Sequence, residues 1–95
     1  MYKGCKNKTM TQEESRFHYV YILVSKSDES RHYTGLTANL GSRLKAHNDG
    51  HVSHTAKYRP WQIETAIAFR SRGKAIAFEK YLKSHSGRAF AQRHF

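Results

Sequence analysis

The sequence predicts a single α+β domain in which a small, three-stranded, mostly antiparallel sheet is flanked by helices in the order β-β-α-β-α-α. Three stretches rich in β-branched and aromatic residues predict the strands, and capped segments with helical spacing lie between and after them. Ninety-five residues are enough for one hydrophobic core and too few for two. We therefore predict one domain over residues 17–95, preceded by a polar, aperiodic and flexible lead-in over residues 1–16.

The first two strands are predicted as a hairpin. Residues 17–24 read Phe-His-Tyr-Val-Tyr-Ile-Leu-Val, a run that is β-branched and aromatic throughout. The polar stretch of residues 25–31 indicates a turn, and residues 32–37 indicate a shorter strand. Because the turn is short, the two strands are expected to pair antiparallel.

A helix is predicted over residues 40–48. Asn39 is a suitable N-cap, and Asp49-Gly50 is a suitable stop. One face of this helix carries Leu40, Leu44 and His47. Residues 51–59, which are polar and basic, are predicted to form a loop.

The second half of the domain begins at the single proline, Pro60, which leads into a strand over residues 61–69. Ser71 can cap a helix over residues 73–84, and Ser86 can start a short final helix that reaches the carboxyl end.

The charge of the chain indicates a polyanionic partner. Seventeen Lys and Arg residues against seven Asp and Glu residues give a net charge of +10. Since the basic residues are spread over several predicted elements rather than one amphipathic helix, nucleic acid is favoured over an anionic membrane. No apolar run could span a bilayer, the lead-in lacks a signal-peptide core, and the lone Cys5 excludes an internal disulfide, so we expect a cytoplasmic location.

Three features depart from what a plain core requires. Tyr21 and Tyr33 lie on adjacent strands, with Gly35 two residues further on, where a strand glycine marks a close approach by another group. Cross-strand aromatic packing explains the tyrosines equally well. Arg43 and His47 share a helix face, where one can bind phosphate and the other can transfer protons, although a solvated basic face is the simpler interpretation.

The third feature is Glu79. It lies within the apolar stripe of its helix, formed by Ala75, Phe78 and Leu82. A carboxylate on such a stripe needs a cation or a hydrogen-bond donor, so a structural salt bridge and a metal ligand are both open. A zinc site at His47, His51 and His54 is disfavoured because no cysteine supports it.

These residues also carry a resemblance. Val20-Tyr21 is followed by Tyr33-Thr34-Gly35, then by residues 35–48, and later by Phe78-Glu79-Lys80. The order and spacing of these motifs resemble those of the GIY-YIG nuclease superfamily. The chain is similar to its stand-alone bacterial members, described as excinuclease-subunit-C-like, from residue 17 to about residue 90.

The resemblance implies roles for the matched residues. Tyr21 and Tyr33 would orient or deprotonate the attacking water, and Gly35 would leave room for a close backbone approach. Arg43 would contact the scissile phosphate, and His47 would assist proton transfer. Glu79 would hold a divalent cation, normally Mg²⁺ with Mn²⁺ as an alternative.

Two positions depart from the family pattern. Tyr19 stands where the first motif has glycine, and no asparagine follows Glu79, so that role is vacant or taken by another residue such as Ser86. The positions of the acidic residues favour a site for one metal ion over a site for two, because Glu79 is the one acidic residue outside the lead-in, the turns and the exposed side of a strand.

Further basic residues are candidates for binding the backbone of the nucleic acid. Lys57, Tyr58 and Arg59 interleave charge with an aromatic ring, although a solvated loop is an equal interpretation. The remaining footprint is predicted to comprise Arg70, Arg72, Lys74, Lys80, Lys83 and Arg88.

The leading hypothesis is a metal-dependent endonuclease that acts on DNA, with a preference for a structure or lesion. The alternative is a binding module of the same fold with little or no turnover. DNA is favoured over RNA as the partner. Oligomeric state, the natural substrate and whether a protein partner supplies targeting stay open.

Overall fold

The computed structural model describes residues 17–95 and confirms the predicted α+β fold. The lead-in predicted over residues 1–16 lies outside the described residues. Strands β1 (His18–Ser25), β2 (His32–Thr37) and β3 (Trp61–Phe69) form one antiparallel sheet in the order β2-β1-β3. The long apolar strand is therefore central.

Residues 17–95 also form four helices, namely α1 (Leu40–Asn48), α2 (Ser53–Ala56), α3 (Arg72–Leu82) and α4 (His85–His94). The side chains of Asn39, Ser71 and Ser84 cap α1, α3 and α4 by accepting an amide N–H from the first turn. The caps at Asn39 and Ser71 are confirmed, whereas the cap of the last helix is Ser84, two residues before the predicted start.

Helix α2 corrects the loop predicted over residues 51–59. It is a single turn whose Val52 carbonyl accepts the amides of Thr55 and Ala56, and no side chain of residues 17–95 caps it. Because one uncapped turn has little stability of its own, it leaves no periodic signal in the sequence.

Both faces of strand β1 are covered, as its continuous buried run of apolar and aromatic residues over 20–24 indicates. On the side that we call the α3 side, Val20 and Ile22 pack with α3 and α4 through Ala75, Leu82 and Phe90. On the other side, the α1 side, Tyr21, Leu23 and Trp61 form a second cluster with Tyr33, Leu40, Leu44 and Tyr58 packed against it.

A β-bulge in β3 moves its apolar residues from one side of the sheet to the other. Ile22 pairs with Thr65 and Leu23 with Ile63, so Glu64 is skipped in the register. Phe69 consequently packs on the α3 side, whereas Trp61 is buried on the α1 side. Trp61, Ile63, Ile67 and Phe69 all stand at odd-numbered positions, so a regular strand would place them on one side of the sheet, whereas the bulge divides them between the two sides.

The end of α1 is joined to the start of β3 by one side chain. Asn48 accepts a hydrogen bond from the Trp61 amide at 2.6 Å and donates one to the Trp61 carbonyl at 3.0 Å. The Asn48 side chain thus pairs with both backbone groups of Trp61, as a neighbouring strand would, and fixes the position of α1 relative to the sheet. None of the helices in residues 17–95 is both long and apolar enough to cross a bilayer.

Candidate active site

Three of the residues singled out from the sequence meet on the α1 side of the sheet. Tyr21 lies in the middle of β1 and is 1% exposed, and His47 on α1 is fully buried. The Tyr21 hydroxyl lies 3.0 Å from Nε2 of His47 and accepts a hydrogen bond from Nε of Arg43 at 3.4 Å. Arg43 and His47 are one helical turn apart, so both reach the same oxygen atom.

Gly35 and Tyr33 complete the surroundings of the Tyr21 ring. Gly35 is directly opposite Tyr21 in the ladder, and a Cβ at this position would overlap with the Tyr21 hydroxyl. The Tyr33 ring lies 4.8 Å from the His47 ring and 6.3 Å from the Tyr21 ring, measured between centroids. The glycine therefore makes room for a side chain of the protein itself.

Two residues of the site, Thr55 and Trp61, carry no functional signal in the sequence. Thr55 on α2 is 1% exposed, and its Oγ1 lies 2.8 Å from Nδ1 of His47. The Thr55 carbonyl accepts a hydrogen bond from the indole Nε1 of Trp61 at 2.8 Å. A threonine in a polar segment is unremarkable by itself, so only the packing of α2 against α1 identifies it.

Burial decides the protonation of the central pair. It raises the pKa of Tyr21, an effect that the hydrogen bond from Arg43 opposes. It also lowers the pKa of His47, to which the positive charge of Arg43 contributes. Both residues are therefore neutral at neutral pH in the protein without substrate or metal.

Glu79 lies on α3 with its side chain 18% exposed, and one oxygen is 2.8 Å from Nζ of Lys83. The sequence left two roles open for Glu79, and one of them, the structural salt bridge, is therefore present. The negative charge of Glu79 also contributes to the raised pKa of Tyr21, so the carboxylate acts electrostatically on the tyrosine.

The residues at this site fit one divalent cation bound mainly by water and substrate. Residues 17–95 contain no group of three or more His, Cys, Asp or Glu side chains placed to hold a metal ion. Glu79 offers one carboxylate, and Mg²⁺ commonly binds through one or two carboxylates while substrate phosphates and waters supply the other ligands. His47 is committed to Tyr21 and Thr55 through its two ring nitrogens.

The predicted backbone-binding residues fall into two regions. After α2, Lys57 and Arg59 are exposed, whereas the Tyr58 ring packs on the α1-side cluster with the Arg31 guanidinium 4.5 Å above it. Around α3 and α4, the exposed members are Arg70, Arg72, Lys74, Lys80, Lys83 and Arg88.

A groove of about 980 Å³ runs beside the junction of α3 and α4. Its lining includes Tyr33 of the site together with Lys83, His85, Arg88 and Phe95. Arg88 donates a hydrogen bond to the Lys83 carbonyl at 2.7 Å, which holds one cation of the groove in place.

The chain is similar in sequence to known proteins. The profile of the GIY-YIG catalytic domain matches residues 17–93. The chain is 42% identical to a UPF0213 protein of Clostridium perfringens over 70% of each sequence. It is 38% identical to a UPF0213 protein of Haloquadratum walsbyi over 74% of this chain and 78% of that protein.

A larger protein is also similar. The chain is 33% identical to a structure-specific endonuclease subunit SLX1 homolog of Drosophila mojavensis. This similarity covers 70% of the chain and 25% of that protein.

Proposed function

The chain belongs to the GIY-YIG family, and we propose that it is a metal-dependent endonuclease that hydrolyses phosphodiester bonds of DNA. One observation carries the proposal most directly. The Tyr21 hydroxyl is held between a neutral histidine and an arginine, and its pKa is raised mainly by burial, with the negative charge of Glu79 as a minor contributor. Metal-dependent hydrolysis of a phosphodiester uses a proton acceptor, a cationic side chain that stabilises charge on the phosphate, and a metal ligand, and Tyr21 with His47, Arg43 and Glu79 are the candidates for these roles.

Arg43 would bind the scissile phosphate. Its guanidinium is half-buried and donates to Tyr21 through Nε, and a hydrogen bond with Tyr33 also contributes to the raised pKa of Arg43, so a phosphate would use its remaining N–H groups. Charge develops on these oxygens as the reaction proceeds, and a fixed cation stabilises that charge more strongly in a partly buried site than in water.

Tyr21 and His47 would remove a proton from the attacking water. The water oxygen forms a bond to phosphorus, and the bond from phosphorus to the leaving oxygen breaks. The leaving oxygen takes a proton from solvent, so the products are a phosphate monoester and a free hydroxyl. Tyr33, whose ring lies beside His47, would orient the water.

Glu79 would hold the cation. When bound there, a divalent cation supplies charge neutralisation at the phosphate oxygens. Since Lys83 occupies one Glu79 oxygen, this lysine would have to share or release the carboxylate when the cation binds.

A binding module without turnover is the alternative, and the Lys83–Glu79 ion pair is the observation that favours it. A carboxylate satisfied by a lysine one turn away has a structural role that needs no metal.

Cleavage of labelled DNA with and without Mg²⁺ tests the proposal. Single-stranded, duplex and branched DNA should be compared, since a similar protein is named as structure-specific, and an RNA duplex should be included. We expect Glu79→Gln to lower the rate by about 10²-fold or more, because it removes the charge that binds the cation. Glu64→Gln is the matched control, since Glu64 is exposed and pairs with His32 at 3.6 Å.

The outcomes separate the two functions. Metal-dependent cleavage that is lost in Glu79→Gln and retained in Glu64→Gln supports the nuclease. Binding without cleavage under Mg²⁺ or Mn²⁺ supports the binding module, and chelator-resistant cleavage contradicts the proposed use of a metal.

A further inference from the structure

The hydrogen bonds around His47 determine which of its ring nitrogens carries the proton. Three polar groups lie in a row, namely the Tyr21 hydroxyl, the His47 ring and the Thr55 hydroxyl. Each of these residues is 1% exposed or less. They are linked at 3.0 Å through Nε2 and at 2.8 Å through Nδ1. A buried polar group that lacks a partner is costly, so the protons along this row must be arranged to satisfy every group.

Tyr21 determines the direction in which hydrogen bonds are donated along the row. Within residues 17–95, the polar side-chain atoms within hydrogen-bond distance of its hydroxyl are Nε2 of His47 and Nε of Arg43. The arginine nitrogen is a donor only. Among the described residues, His47 is therefore the one acceptor to which a protonated Tyr21 can give its hydrogen, and this requires an unprotonated Nε2.

Thr55 completes the arrangement at the other end. With Nε2 unprotonated, a neutral His47 carries its proton on Nδ1 and donates it to Oγ1 of Thr55. The Thr55 hydroxyl then points its own proton at the Val52 carbonyl, 3.3 Å away. The opposite tautomer would leave the buried Tyr21 hydroxyl without an acceptor among the described residues.

We propose that Thr55 is a positioning residue that holds His47 as its Nδ1–H tautomer, so that Tyr21, His47 and Thr55 form a one-way proton relay. Its catalytic meaning rests on the proposed function. As Tyr21 accepts a proton from the attacking water, it passes its own proton to Nε2 of His47, and the resulting imidazolium keeps its Nδ1–H bond to Thr55. Tyr21 then carries no full negative charge at any stage, which suits a buried phenol.

The position of Thr55 is itself well determined. Its carbonyl is bonded to the Trp61 indole, and its amide is bonded to the Val52 carbonyl within α2. Because both of these bonds use backbone atoms of Thr55, a change of its side chain leaves the anchor intact. Thr55 is therefore a site where the relay can be altered without removing the helix that holds it.

The tautomer can be measured without any nuclease assay. Long-range ¹H–¹⁵N correlation spectra of the labelled full chain distinguish Nδ1–H from Nε2–H, and His47→Gln identifies the His47 signals by their loss. We expect the Nδ1–H tautomer in the wild type and in Thr55→Ser, which keeps the hydroxyl. In Thr55→Val, which has nearly the same shape, we expect a mixture or the Nε2–H form.

The kinetic test uses the same pair of variants. We expect Thr55→Val to lower kcat by about 10–100-fold with KM unchanged, because His47 loses the hydrogen bond that orients its ring, and loss of such a partner has an effect of this size on histidines that bind metals. Thr55→Ser should restore most of the rate. Circular dichroism and thermal melting establish that both variants are folded.

Each result has one meaning. An Nε2–H tautomer in the wild type overturns the relay, whether or not the protein cuts DNA. An Nδ1–H tautomer that persists in Thr55→Val, or a kcat that is unchanged in that variant, shows that Thr55 does not position His47. If the wild type shows the Nδ1–H tautomer but cuts no substrate, the relay is supported as a structural arrangement and the proposed function fails separately.

Discussion

Tyr21 and His47 are neutral for the same reason, since both are almost completely enclosed by β1, β2 and the helices of the α1 side. Burial disfavours the charged form of each, raising the pKa of the phenol and lowering the pKa of the imidazole. The motifs in the sequence identify both residues but say nothing of their protonation. The physical cause is desolvation by the packing, and at Tyr21 the hydrogen bond from Arg43 opposes its effect on the pKa.

The lowered pKa of His47 predicts a loss of stability in mild acid. Above its ordinary value of 6.5, His47 is neutral in both the folded and the unfolded chain and contributes nothing. As the pH falls from 6.5 to the lower folded-state value, the unfolded chain binds a proton that the folded chain does not. The free energy of unfolding should therefore fall in this window by up to about 1.4 kcal/mol per pH unit, and level off below it.

Urea denaturation at a series of pH values measures this effect. His47→Gln should reduce the acid-dependent loss, whereas His51→Gln should retain it, because His51 is exposed. An identical pH dependence in the wild type and His47→Gln would show that His47 is not the group responsible.

At the scale of elements, α4 is held against α3 by a close backbone approach. Gly87 in the first turn of α4 is buried, and a Cβ there would overlap with the Tyr81 carbonyl and the Leu82 backbone. Phe90 and Ala91 then reach the α3-side core one turn later. The glycine is thus a packing residue that lets two consecutive helices meet at a sharp junction.

Gly87→Ala should consequently destabilise the domain by about 1–3 kcal/mol, because backbone atoms cannot move aside as a flexible side chain can. Gly73→Ala is the matched control in the first turn of α3, where the nearest atom to a new Cβ is Oγ of Ser71 at 3.8 Å. That variant should be as stable as the wild type or up to about 1 kcal/mol more stable. Equal denaturation midpoints for the two variants would contradict this account of the junction.

At the scale of the whole molecule, the net charge of +10 gives a surface suited to phosphate, although not all of its cations are free. Lys45 is paired with Asp49 at 2.6 Å and Lys83 with Glu79 at 2.8 Å. Arg72 and Lys74 are exposed in the first turn of α3, which contains no acidic residue. We expect Arg72 and Lys74 to contribute more to binding than Lys45 does.

The salt dependence of DNA binding tests this difference. A plot of log Kd against log salt concentration should be linear, with a slope of about 0.9 for each phosphate contacted. Replacing both Arg72 and Lys74 by Ala should reduce the slope by about 2, and Lys45→Ala should leave it unchanged. The reverse result would place the footprint on the exposed face of α1.

Much of the fold is predictable because its signals are local. The apolar run of β1, the polar turn after it and the caps at Asn39 and Ser71 act within a few residues of their own positions. The order and spacing of the motifs identify the main site residues from the chain alone, and the fold brings the side chains of Tyr21, Arg43 and His47 into contact.

The class of the fold, the basic surface and the identity of the main site residues thus follow from the amino-acid sequence. Two features depend on the packed fold: the burial of Thr55 beside His47, and the bulge at Glu64 that turns Trp61 to the α1 side. Strand and cap signals depend on neighbours in the chain. The Thr55 and Trp61 contacts join separate elements, so they arise only when α1, α2 and the sheet are packed together.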